Sequence, residues 1–408
     1  MKEKKVVCII GTTGVGKSKL GIELAKHFGG QVISADSMQV YKGLDLLTNK
    51  VTEEEMEGVE HHMMSLLDPI KDEKFSVTQF VKIAEEKLFQ ISGNDSLPLV
   101  VGGTMYYVES LLWENLIDPQ LLENKTCREF PVEIKEMSNK DLHEKLREVD
   151  QVMADKYHFN ERRKVMRSLE FFYENGSKQS DFYFEKDVSC KYEAIIFWLY
   201  CGEEILKKRI RERTSGMLEK GALREVRELA ETMKEKGEQS FDYSKGLLQS
   251  IGFKEFEAYL SSLGETCKAK REKAVEECAE KLNEHTLKYA KKQIGWIENR
   301  ILTRNVPVFK LCTDDLAGWQ ENVSKVAKKV TECFLKSKDL PCTELMTSKK
   351  TKEQAKPQVL ECQICSKKFW GQVQWESHIS SKSHKKRKAN LQKIKNNPNH
   401  PLHFQYNK

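Results

Sequence analysis

Short apolar runs alternate with segments of helical periodicity along about the first 200 residues of this chain. The runs cover residues 6–10, 31–34, 97–101 and 194–199 and consist mostly of valine, isoleucine and leucine. Short apolar runs that alternate with helical patterns are typical of parallel strands buried between layers of helices. The pattern predicts an α/β fold, in which a parallel sheet is flanked by helices.

The pattern changes between the third and the fourth run. From about Trp113 to Lys191 the sequence is charged and helical, so we expect a helical insertion that splits the core. A Lys-, Thr- and Pro-rich stretch near residues 337–360 is typical of a linker. The predicted organisation is a discontinuous core (residues 1–112 and 190–335), a helical insertion (113–189), a linker (336–359), a small module (360–390) and a basic, flexible tail (391–408).

A glycine-rich segment, GTTGVGKS at residues 11–18, lies between the first apolar run and a helix-like run. Glycines in such a loop allow successive backbone N–H groups to converge on an anion at the positive end of a helix. Lys17 would add an ammonium group, and Ser18 would hold Mg²⁺. The segment predicts a site for a diphosphate or triphosphate in a sheet of the P-loop NTPase-like type. It leaves open which phosphate ester binds.

Two polar residues follow the second and third apolar runs. Asp36 follows the second run, and Thr104 follows Gly102 and Gly103 after the third. Because the carboxyl ends of parallel strands meet at one edge of a sheet, we expect both side chains at the edge where the phosphate loop opens. A carboxylate there accepts a proton or binds Mg²⁺ through water. The alternative for Asp36 is a helix N-cap together with Ser37.

The small module contains two cysteines and two histidines with the spacing of a zinc finger: Cys362-x2-Cys365-x12-His378-x5-His384. Two thiolates on a β-knuckle and two imidazoles on a helix form a closed tetrahedral Zn²⁺ site. Phe369 and Trp375 are spaced to pack beneath it. A module of this size does not fold on its apolar core alone, so the zinc is structural. The five-residue gap and the following basic cluster are typical of C2H2 fingers in RNA-associated proteins.

The net charge of the 408 residues is +6, but it is unevenly distributed. Residues 346–408 contain 14 lysines and arginines against three acidic residues, so the body of the chain is mildly acidic and its tail strongly basic. Such a tail suits a polyanionic partner. No stretch approaches the ~20 apolar residues of a membrane span, so no membrane association is expected.

The 11 cysteines are scattered without regular pairing, and no apolar segment precedes the first predicted strand. We therefore expect neither secretion nor a disulfide framework. The expectation is a cytoplasmic monomer without a mitochondrial transit peptide. A nuclear pool is the alternative, because the basic cluster at residues 385–388 is also typical of a nuclear signal.

Six segments carry a resemblance to a known family: GTTGVGKS, SADSMQVYKGLDLLTNK, VVGGTMYYVESLL, RIRERTSGMLEKGALREV, QSIGFKEF and LKYAKKQIGWI. On these segments the chain resembles the tRNA dimethylallyltransferases (tRNA isopentenyltransferases), in the eukaryotic type with a C-terminal zinc finger. The resemblance covers about residues 6–300 and resumes at the finger. It implies transfer of a dimethylallyl group from dimethylallyl diphosphate to N6 of adenosine 37, next to the anticodon of tRNA.

The resemblance assigns roles to residues at matching positions. Asp36 corresponds to the general base, and Thr104 lies beside the reacting groups. Arg209 and Arg213 fall in the stretch that contacts the diphosphate, and one sequence does not decide between them. The diphosphate of dimethylallyl diphosphate, rather than ATP, is the ligand implied for Gly11, Thr13, Gly14, Val15, Gly16, Lys17 and Ser18, with Mg²⁺ at Ser18.

The expected partner is the anticodon stem-loop of tRNA. The resemblance matches residues 36–39 to the segment that holds the target adenosine and residues 163–167 to a tRNA-contacting segment; basic charge adds a later helical segment. The tRNA-binding candidates are Asp36, Ser37, Met38, Gln39, Arg163, Lys164, Arg167, Lys288 and Lys292. The neighbouring aromatics Tyr289 and Trp296 are more typical of helix core packing than of stacking on a base.

One departure from the family pattern stands at residues 158–161, where the family usually has a Pro and an Asp. It affects only the expected start of the helix there. The segments that carry the catalytic candidates are intact.

Two other classes of function remain open at this point. A nucleotide or nucleoside kinase would use the same loop with ATP, although no lid or second nucleotide motif is recognisable. A non-catalytic RNA-binding adaptor would act through its finger and carry a vestigial loop. The intact set of Lys17, Ser18, Asp36 and Thr104 argues against the adaptor.

Overall fold

A computed structural model describes residues 4–71, 75–113, 130–182, 189–235, 241–243, 245–264, 267–348, 359–365 and 367–396. The chain divides into two compact units. The first contains Met1–Leu116 and Val188–Lys350, and the second contains Ile117–Asp187 and Thr351–Lys408.

The first unit is built on a six-stranded parallel sheet, which confirms the predicted fold class. Its strands are β1 (Lys5–Gly11), β2 (Gly30–Ser34), β3 (His61–His62), β4 (Leu97–Gly102), β5 (Glu193–Tyr200) and β6 (Val308–Cys312). They are ordered β3-β2-β4-β1-β5-β6. The hydrophobic pattern predicts four of these strands. It misses the two edge strands, because β3 is only two residues long and β6 follows a long helical region.

The helices of the first unit pack on both faces of this sheet and beside it. They are α1 (Lys17–Phe28), α2 (Glu53–Met56), α3 (Val77–Gly93), α4 (Met105–Leu112), α9 (Glu203–Glu219), α10 (Ala222–Glu235), α11 (Glu257–Ser261), α12 (Lys268–Trp296) and α13 (Lys325–Leu335). Val7 and Ile9 of β1 pack in the cluster that contains α1 and α13, whereas Val6 and Cys8 pack with α3 and α4. Both faces of β1 are therefore buried, which explains its uninterrupted apolar sequence.

A third apolar cluster lies beside the sheet and anchors the loop after β2. Val40, Leu44 and Leu47 from that loop pack against α10 and the early part of α12. The loop that carries the predicted adenosine-binding residues is thus held by helices that come much later in the chain.

The predicted linker begins later than residue 336. Helix α13 is followed by a segment that returns along the sheet edge, where Met346 forms an antiparallel bridge with Phe309 and the Thr347 amide donates to the Val308 carbonyl at 2.8 Å. Residues up to 347 therefore cover β6. Because the hydrophobic pattern does not predict β6, it does not predict the segment that packs on it. Residues 349–358 lie outside the described residues.

The second unit contains the helical insertion and the small module. The insertion consists of α5 (Val132–Glu136), α6 (Asn139–Val149), α7 (Gln151–Lys156) and α8 (Arg162–Asn175), with an apolar core that includes Leu142, Leu146 and Leu169. The module has an antiparallel hairpin, β7 (Val359–Cys362) and β8 (Lys367–Trp370), followed by α14 (Gly371–Ser380) and α15 (Lys382–Asn396). Strand β8 lies against α7.

Helix α15 extends into the predicted tail. Residues 391–396 are helical rather than flexible, because the basic, Ala- and Leu-containing sequence continues the helix that carries His384. The remaining tail residues lie outside the described part of the chain. Among the described helices, none combines the length and the apolar character needed to cross a membrane.

Candidate active site and zinc centre

The phosphate loop connects β1 to α1, as predicted from its sequence. Gly14 and Gly16 have φ angles of 79° and 87°, in the left-handed region that side chains with a β-carbon rarely adopt. The Lys17 side chain is partly buried, and its ammonium donates to the Thr12 carbonyl at 2.6 Å. Burial lowers the pKa of Lys17 to about 8, although the negative charge of Asp36 opposes the shift. The loop therefore holds a cation whose charge an incoming anion would stabilise.

The two candidate arginines of α9 occupy different environments. The Arg213 guanidinium donates to the Thr13 hydroxyl of the phosphate loop, and its Nε is buried without a hydrogen-bond partner among the described atoms. Burial lowers the pKa of Arg213 to about 10, against the attraction of Asp36. Arg209 instead donates to the Thr313 carbonyl at 2.5 Å and to the Asp314 carbonyl at 3.2 Å. Arg213 is therefore directed to the loop, and Arg209 to the segment after β6.

Asp36 and Thr104 meet at the carboxyl edge of the sheet, as expected. Asp36 Oδ1 accepts from the Met38 amide at 3.0 Å, which forms a turn rather than a helix N-cap. The Thr104 hydroxyl accepts from the Ser37 amide at 3.0 Å, and the Thr104 amide donates to the Ala35 carbonyl at 3.1 Å. Two backbone segments are thereby locked together beside the phosphate loop.

Helix α12 contributes two side chains to this edge that the sequence does not assign to the site. Gln293 is buried and donates from Nε2 to the Gly103 carbonyl at 2.8 Å, while its Oε1 has no partner among the described atoms. The Tyr289 ring is partly exposed, but its hydroxyl lies 3.5 Å from the same carbonyl. Burial and the charge of Asp36 raise the pKa of Tyr289 to about 12. Tyr289 lies in the segment LKYAKKQIGWI, whose pattern predicts helix core packing for this ring.

Asp36 acts electrostatically on three titratable members of this group. Its charge opposes the pKa shifts of Lys17 and Arg213, and it raises the pKa of Tyr289. A carboxylate is thus placed near two partly buried cations and beside a loop whose geometry suits an anion. This arrangement suits a reaction in which a nucleophile loses a proton to the carboxylate while an anionic group departs into the loop.

The loop after Asp36 is fixed by two residues that the sequence analysis does not single out. The Lys50 ammonium donates to the Tyr41 carbonyl at 2.5 Å and pairs with Asp45 at 2.6 Å. The Glu225 carboxylate of α10 accepts from the Leu46 amide at 3.0 Å, and burial raises its pKa. Both residues lie in the motifs quoted above, but the contacts between these motifs are visible only in the folded chain.

Two of the residues predicted to contact adenosine, Ser37 and Gln39, form hydrogen bonds within the protein that hold the loop. Gln39 accepts from the Ser34 hydroxyl at 2.9 Å and donates to the Thr48 and Asn49 carbonyls, both at 3.2 Å. A side chain with three such bonds holds the loop rather than reaching out of it. Ser37 is tied to Thr104 by its amide and by its hydroxyl, at 3.3 Å.

The basic candidates for tRNA contact belong to both units. Lys288 and Lys292 are exposed on α12 of the first unit, and Lys288 pairs with Glu284 at 3.4 Å. Arg163, Lys164 and Arg167 are exposed on α8 of the second unit. Helix α8 begins at Arg162, with Glu161 as its N-cap, so the departure at residues 158–161 leaves the helix intact. The role of these five lysines and arginines in binding RNA stays a prediction.

Ser18 lies half-buried in the first turn of α1, and a cleft of about 670 Å³ opens beside it. The cleft is lined mainly by α1 and residues 49–57, without Asp36 or Arg213, so it adjoins the candidate site rather than forming it. The hydroxyl is a suitable oxygen ligand for Mg²⁺. In the described part of the chain no cluster of three metal-binding side chains surrounds it. A Mg²⁺ at Ser18 would therefore take further ligands from phosphate oxygens and water.

The predicted zinc ligands converge in the second unit. The ligand atoms of Cys362, Cys365, His378 and His384 all lie within 4.8 Å of one another. His384 Nδ1 is 3.5 Å from Cys362 Sγ and 3.0 Å from His378 Nε2. This donor set fits a tetrahedral zinc ion, which confirms the predicted structural site. The Trp375 ring lies 6.3 Å from that of His378; the Phe369 side chain is outside the described residues.

Two family models match the chain. One, described as IPP transferase, covers residues 39–300, and one, described as zinc-finger double-stranded RNA-binding, covers residues 359–385. A tRNA dimethylallyltransferase from Homo sapiens is 36% identical over 397 residues, 93% of this chain and 85% of that protein. Another from Saccharomyces cerevisiae is 32% identical over 410 residues, 94% of this chain and 91% of that protein.

Solved structures show the same similarity. A crystallographic study of a eukaryotic dimethylallyltransferase acting on tRNA gives a TM-score of 0.77 at 30% identity and covers 96% of this chain and 100% of that one. A tRNA isopentenylpyrophosphate transferase from Staphylococcus epidermidis gives a TM-score of 0.52 at 30% identity, with 81% and 99% covered.

Proposed function

The chain belongs to the IPP transferase family of tRNA dimethylallyltransferases, and we propose that it transfers a dimethylallyl group from dimethylallyl diphosphate to N6 of adenosine 37 in tRNA. The products are N6-isopentenyladenosine and diphosphate. The expectation of a prenyltransferase, drawn from six sequence segments, is confirmed by the relatives. The position on tRNA and the residue roles are our proposal.

Asp36 is the general base of this mechanism. The N6 amine of adenine is a poor nucleophile because its lone pair is delocalised into the ring, so its proton must leave as the new C–N bond forms. Asp36 lies beside the phosphate loop, where a donor carbon would meet the amine. Thr104 supports this placement by holding the Ser37 amide, so that the backbone on either side of Asp36 is fixed. General-base catalysis of this kind contributes roughly 10²- to 10⁴-fold.

Lys17, Arg213 and the N–H groups of the loop bind the diphosphate. As the allylic C–O bond breaks, negative charge develops on the departing diphosphate, and these groups stabilise it where it appears. The lowered pKa values of both cations support this assignment. Burial disfavours the charged forms of the two side chains, and a bound dianion or trianion would stabilise those forms. Mg²⁺ held at Ser18 would supply further positive charge to the leaving group.

The acceptor is the anticodon stem-loop of tRNA. A base that leaves the stack of a loop costs a few kcal/mol, which contacts with the RNA backbone must offset. The exposed basic residues of α8 and α12 and the zinc finger are our candidates for these contacts. The finger belongs to a class described as binding double-stranded RNA, which suits a stem next to the modified loop.

One observation carries the proposal: Lys17 and Arg213 both donate to the phosphate loop, and Asp36 lies at the same edge of the sheet, in a segment fixed to Thr104. A kinase would need a nucleophile placed next to a bound triphosphate. A non-catalytic RNA-binding adaptor would not need cations directed at the loop. Neither alternative is favoured by a contact in the described residues.

The test is to incubate the purified protein with bulk tRNA, Mg²⁺ and labelled dimethylallyl diphosphate, with ATP as a competing donor, and to digest the product to nucleosides. We expect the label in N6-modified adenosine. Phosphoryl transfer from ATP without prenyl transfer would instead identify a kinase, and the absence of both activities would favour an RNA-binding adaptor. Mapping the modified nucleoside by mass spectrometry of tRNA fragments tests the position.

A further inference from the structure

Residues that follow the match to the IPP transferase model contact the phosphate loop. The match ends at residue 300, whereas β6 begins at Val308 and is followed by Trp319. The Trp319 side chain packs directly beneath Gly16. A β-carbon built on Gly16 would lie 2.7 Å from the indole, closer than two carbon atoms can approach without displacement. The loop therefore rests on this ring.

Trp319 is itself held rigidly. Only 2% of its surface is exposed, and its Nε1 donates to both carboxylate oxygens of Glu23 on α1, at 3.0 and 3.2 Å. The Lys19 ammonium lies 4.6 Å from the centre of its ring. The indole is thus fixed to the same helix that begins at the phosphate loop. Its position and that of Gly16 are coupled through α1.

The residues just before Trp319 hold a second part of the site. Thr313 is fully buried, and its hydroxyl and carbonyl oxygens accept hydrogen bonds from the Arg209 guanidinium. Asp314 accepts the Gly202 amide at 2.7 Å, at the start of the helix that carries Arg213. The segment of residues 313–319 therefore contacts both the phosphate loop and the arginine-bearing helix.

We propose that residues 313–319 position the donor site, with Trp319 as the residue that sets the backbone of Gly16 for the diphosphate. This rests on the proposed function in one respect, because it takes diphosphate to be the anion of the loop. The amide groups of a phosphate loop bind only when they converge, so a shift of Gly16 weakens anion binding without touching the acceptor site. Trp319 is a positioning residue and does not touch the reacting atoms.

The test compares Trp319→Leu and Trp319→Phe with Phe334→Leu in the full-length protein. Phe334 belongs to the same buried cluster but lies on α13, away from Gly16, so its substitution controls for the loss of core packing. The probe is inorganic pyrophosphate, measured by calorimetry in the presence of Mg²⁺. We expect Trp319→Leu to weaken pyrophosphate binding about tenfold and to raise the KM for dimethylallyl diphosphate equally. The KM for tRNA should stay unchanged.

Trp319→Phe keeps a ring under Gly16 but removes the hydrogen bond to Glu23, so we expect an intermediate effect. It also keeps the test decisive if the leucine variant does not fold. The change in tryptophan fluorescence on adding pyrophosphate should be smaller in Trp319→Phe than in the wild type. Unchanged pyrophosphate affinity in a folded Trp319 variant, or an equal loss of affinity in Phe334→Leu, would overturn the proposal.

These outcomes are separable from those for the proposed function. Weakened pyrophosphate binding in a protein that transfers no prenyl group would support the role of Trp319 and reject the donor. Prenyl transfer by the wild type, together with wild-type pyrophosphate affinity in the variants, would support dimethylallyl diphosphate as the donor and reject the role of Trp319.

Discussion

The phosphate-loop site and the zinc centre differ in how far apart in sequence their residues lie. The four zinc ligands lie between Cys362 and His384, in one short module. The loop depends on Asp36, Arg213 and Trp319, which lie far from one another in sequence. A metal can thus build a site from neighbouring residues, whereas the donor site needs most of the first unit to be folded.

The two sites also meet the cost of buried polar groups differently. At the zinc centre the metal neutralises the thiolates and replaces an apolar core. At the loop, Lys17 and Arg213 are partly buried and their pKa values are lowered, so their charges are incompletely compensated in the free protein. The first site is complete once its metal is bound, and the second is complete only with its substrate.

The strongest effect should come from the base, and it tests whether chemistry belongs to the phosphate-loop site alone. We expect Asp36→Asn to lower kcat by about 10²- to 10⁴-fold, because the amide cannot accept the proton of the amine. Single-turnover kinetics at saturating tRNA measure it, and a filter-binding assay should show tRNA affinity close to that of the wild type. Asp95→Asn, the same change on an exposed side chain in the turn before β4, is the control. A mutant that keeps most of its rate removes Asp36 from the mechanism.

The next effect refines the description of the loop by separating its two arginines. Arg213→Met should lower kcat by about 10²- to 10³-fold, because it removes a preorganised cation from the departing diphosphate. Arg209→Met should lower kcat by less than about tenfold, since Arg209 donates to the Thr313 and Asp314 carbonyls rather than to the loop, and the loss of these bonds should appear mainly in the free energy of unfolding. Steady-state assays with varied dimethylallyl diphosphate decide between them. Equal reductions would show that both arginines act on the diphosphate.

A smaller effect is expected from the zinc centre. Cys362→Ser should unfold the finger, lower tRNA affinity and leave kcat at saturating tRNA unchanged. The slope of log affinity against log salt should become less steep by about 0.7 to 0.9 for each phosphate that the finger no longer neutralises. Cys267→Ser, an exposed cysteine outside the cluster, is the control. A large fall in kcat would contradict the separation between the two sites, whereas an unchanged salt slope would assign the finger to another partner.

The weakest effect concerns the loop that follows Asp36. Glu225→Gln keeps one acceptor for the Leu46 amide but removes the charge, so we expect the free energy of unfolding to fall by about 1 kcal/mol and the KM for tRNA to rise a few-fold. Thermal unfolding and steady-state kinetics measure these changes. Glu228→Gln, an exposed residue on the same helix, should change neither. An increase in the KM for dimethylallyl diphosphate instead would place Glu225 in the donor site.

Sequence patterns predict the features that depend on neighbouring residues. Four strands, the helical insertion, the phosphate loop and the zinc ligands follow from local patterns, because periodicity and ligand spacing are local properties. The family follows from six such segments. The roles of Asp36, Thr104 and the basic residues of α8 and α12 stay predictions.

The features that sequence patterns miss depend on contacts between distant segments. Strand β6, the support of Gly16 by Trp319 and the anchoring of the Leu46 amide by Glu225 join parts of the chain that local patterns treat separately. The choice between Arg209 and Arg213 is of the same kind. They lie one helical turn apart, and only the packed helix shows that one faces the loop while the other faces Thr313.

The position of Trp319 bears on how the protein is made on the ribosome. The phosphate loop is synthesised before the ring on which Gly16 rests, which follows some 300 positions later. At roughly 5–20 residues per second, that interval lasts on the order of 15–60 s. In the later part of this interval, after β5 has been made, its outer edge has no neighbour until β6 emerges. The nascent chain therefore carries an open apolar edge until β6 is made and an unfinished donor site until Trp319 is made, and in that period it depends most on protection from aggregation.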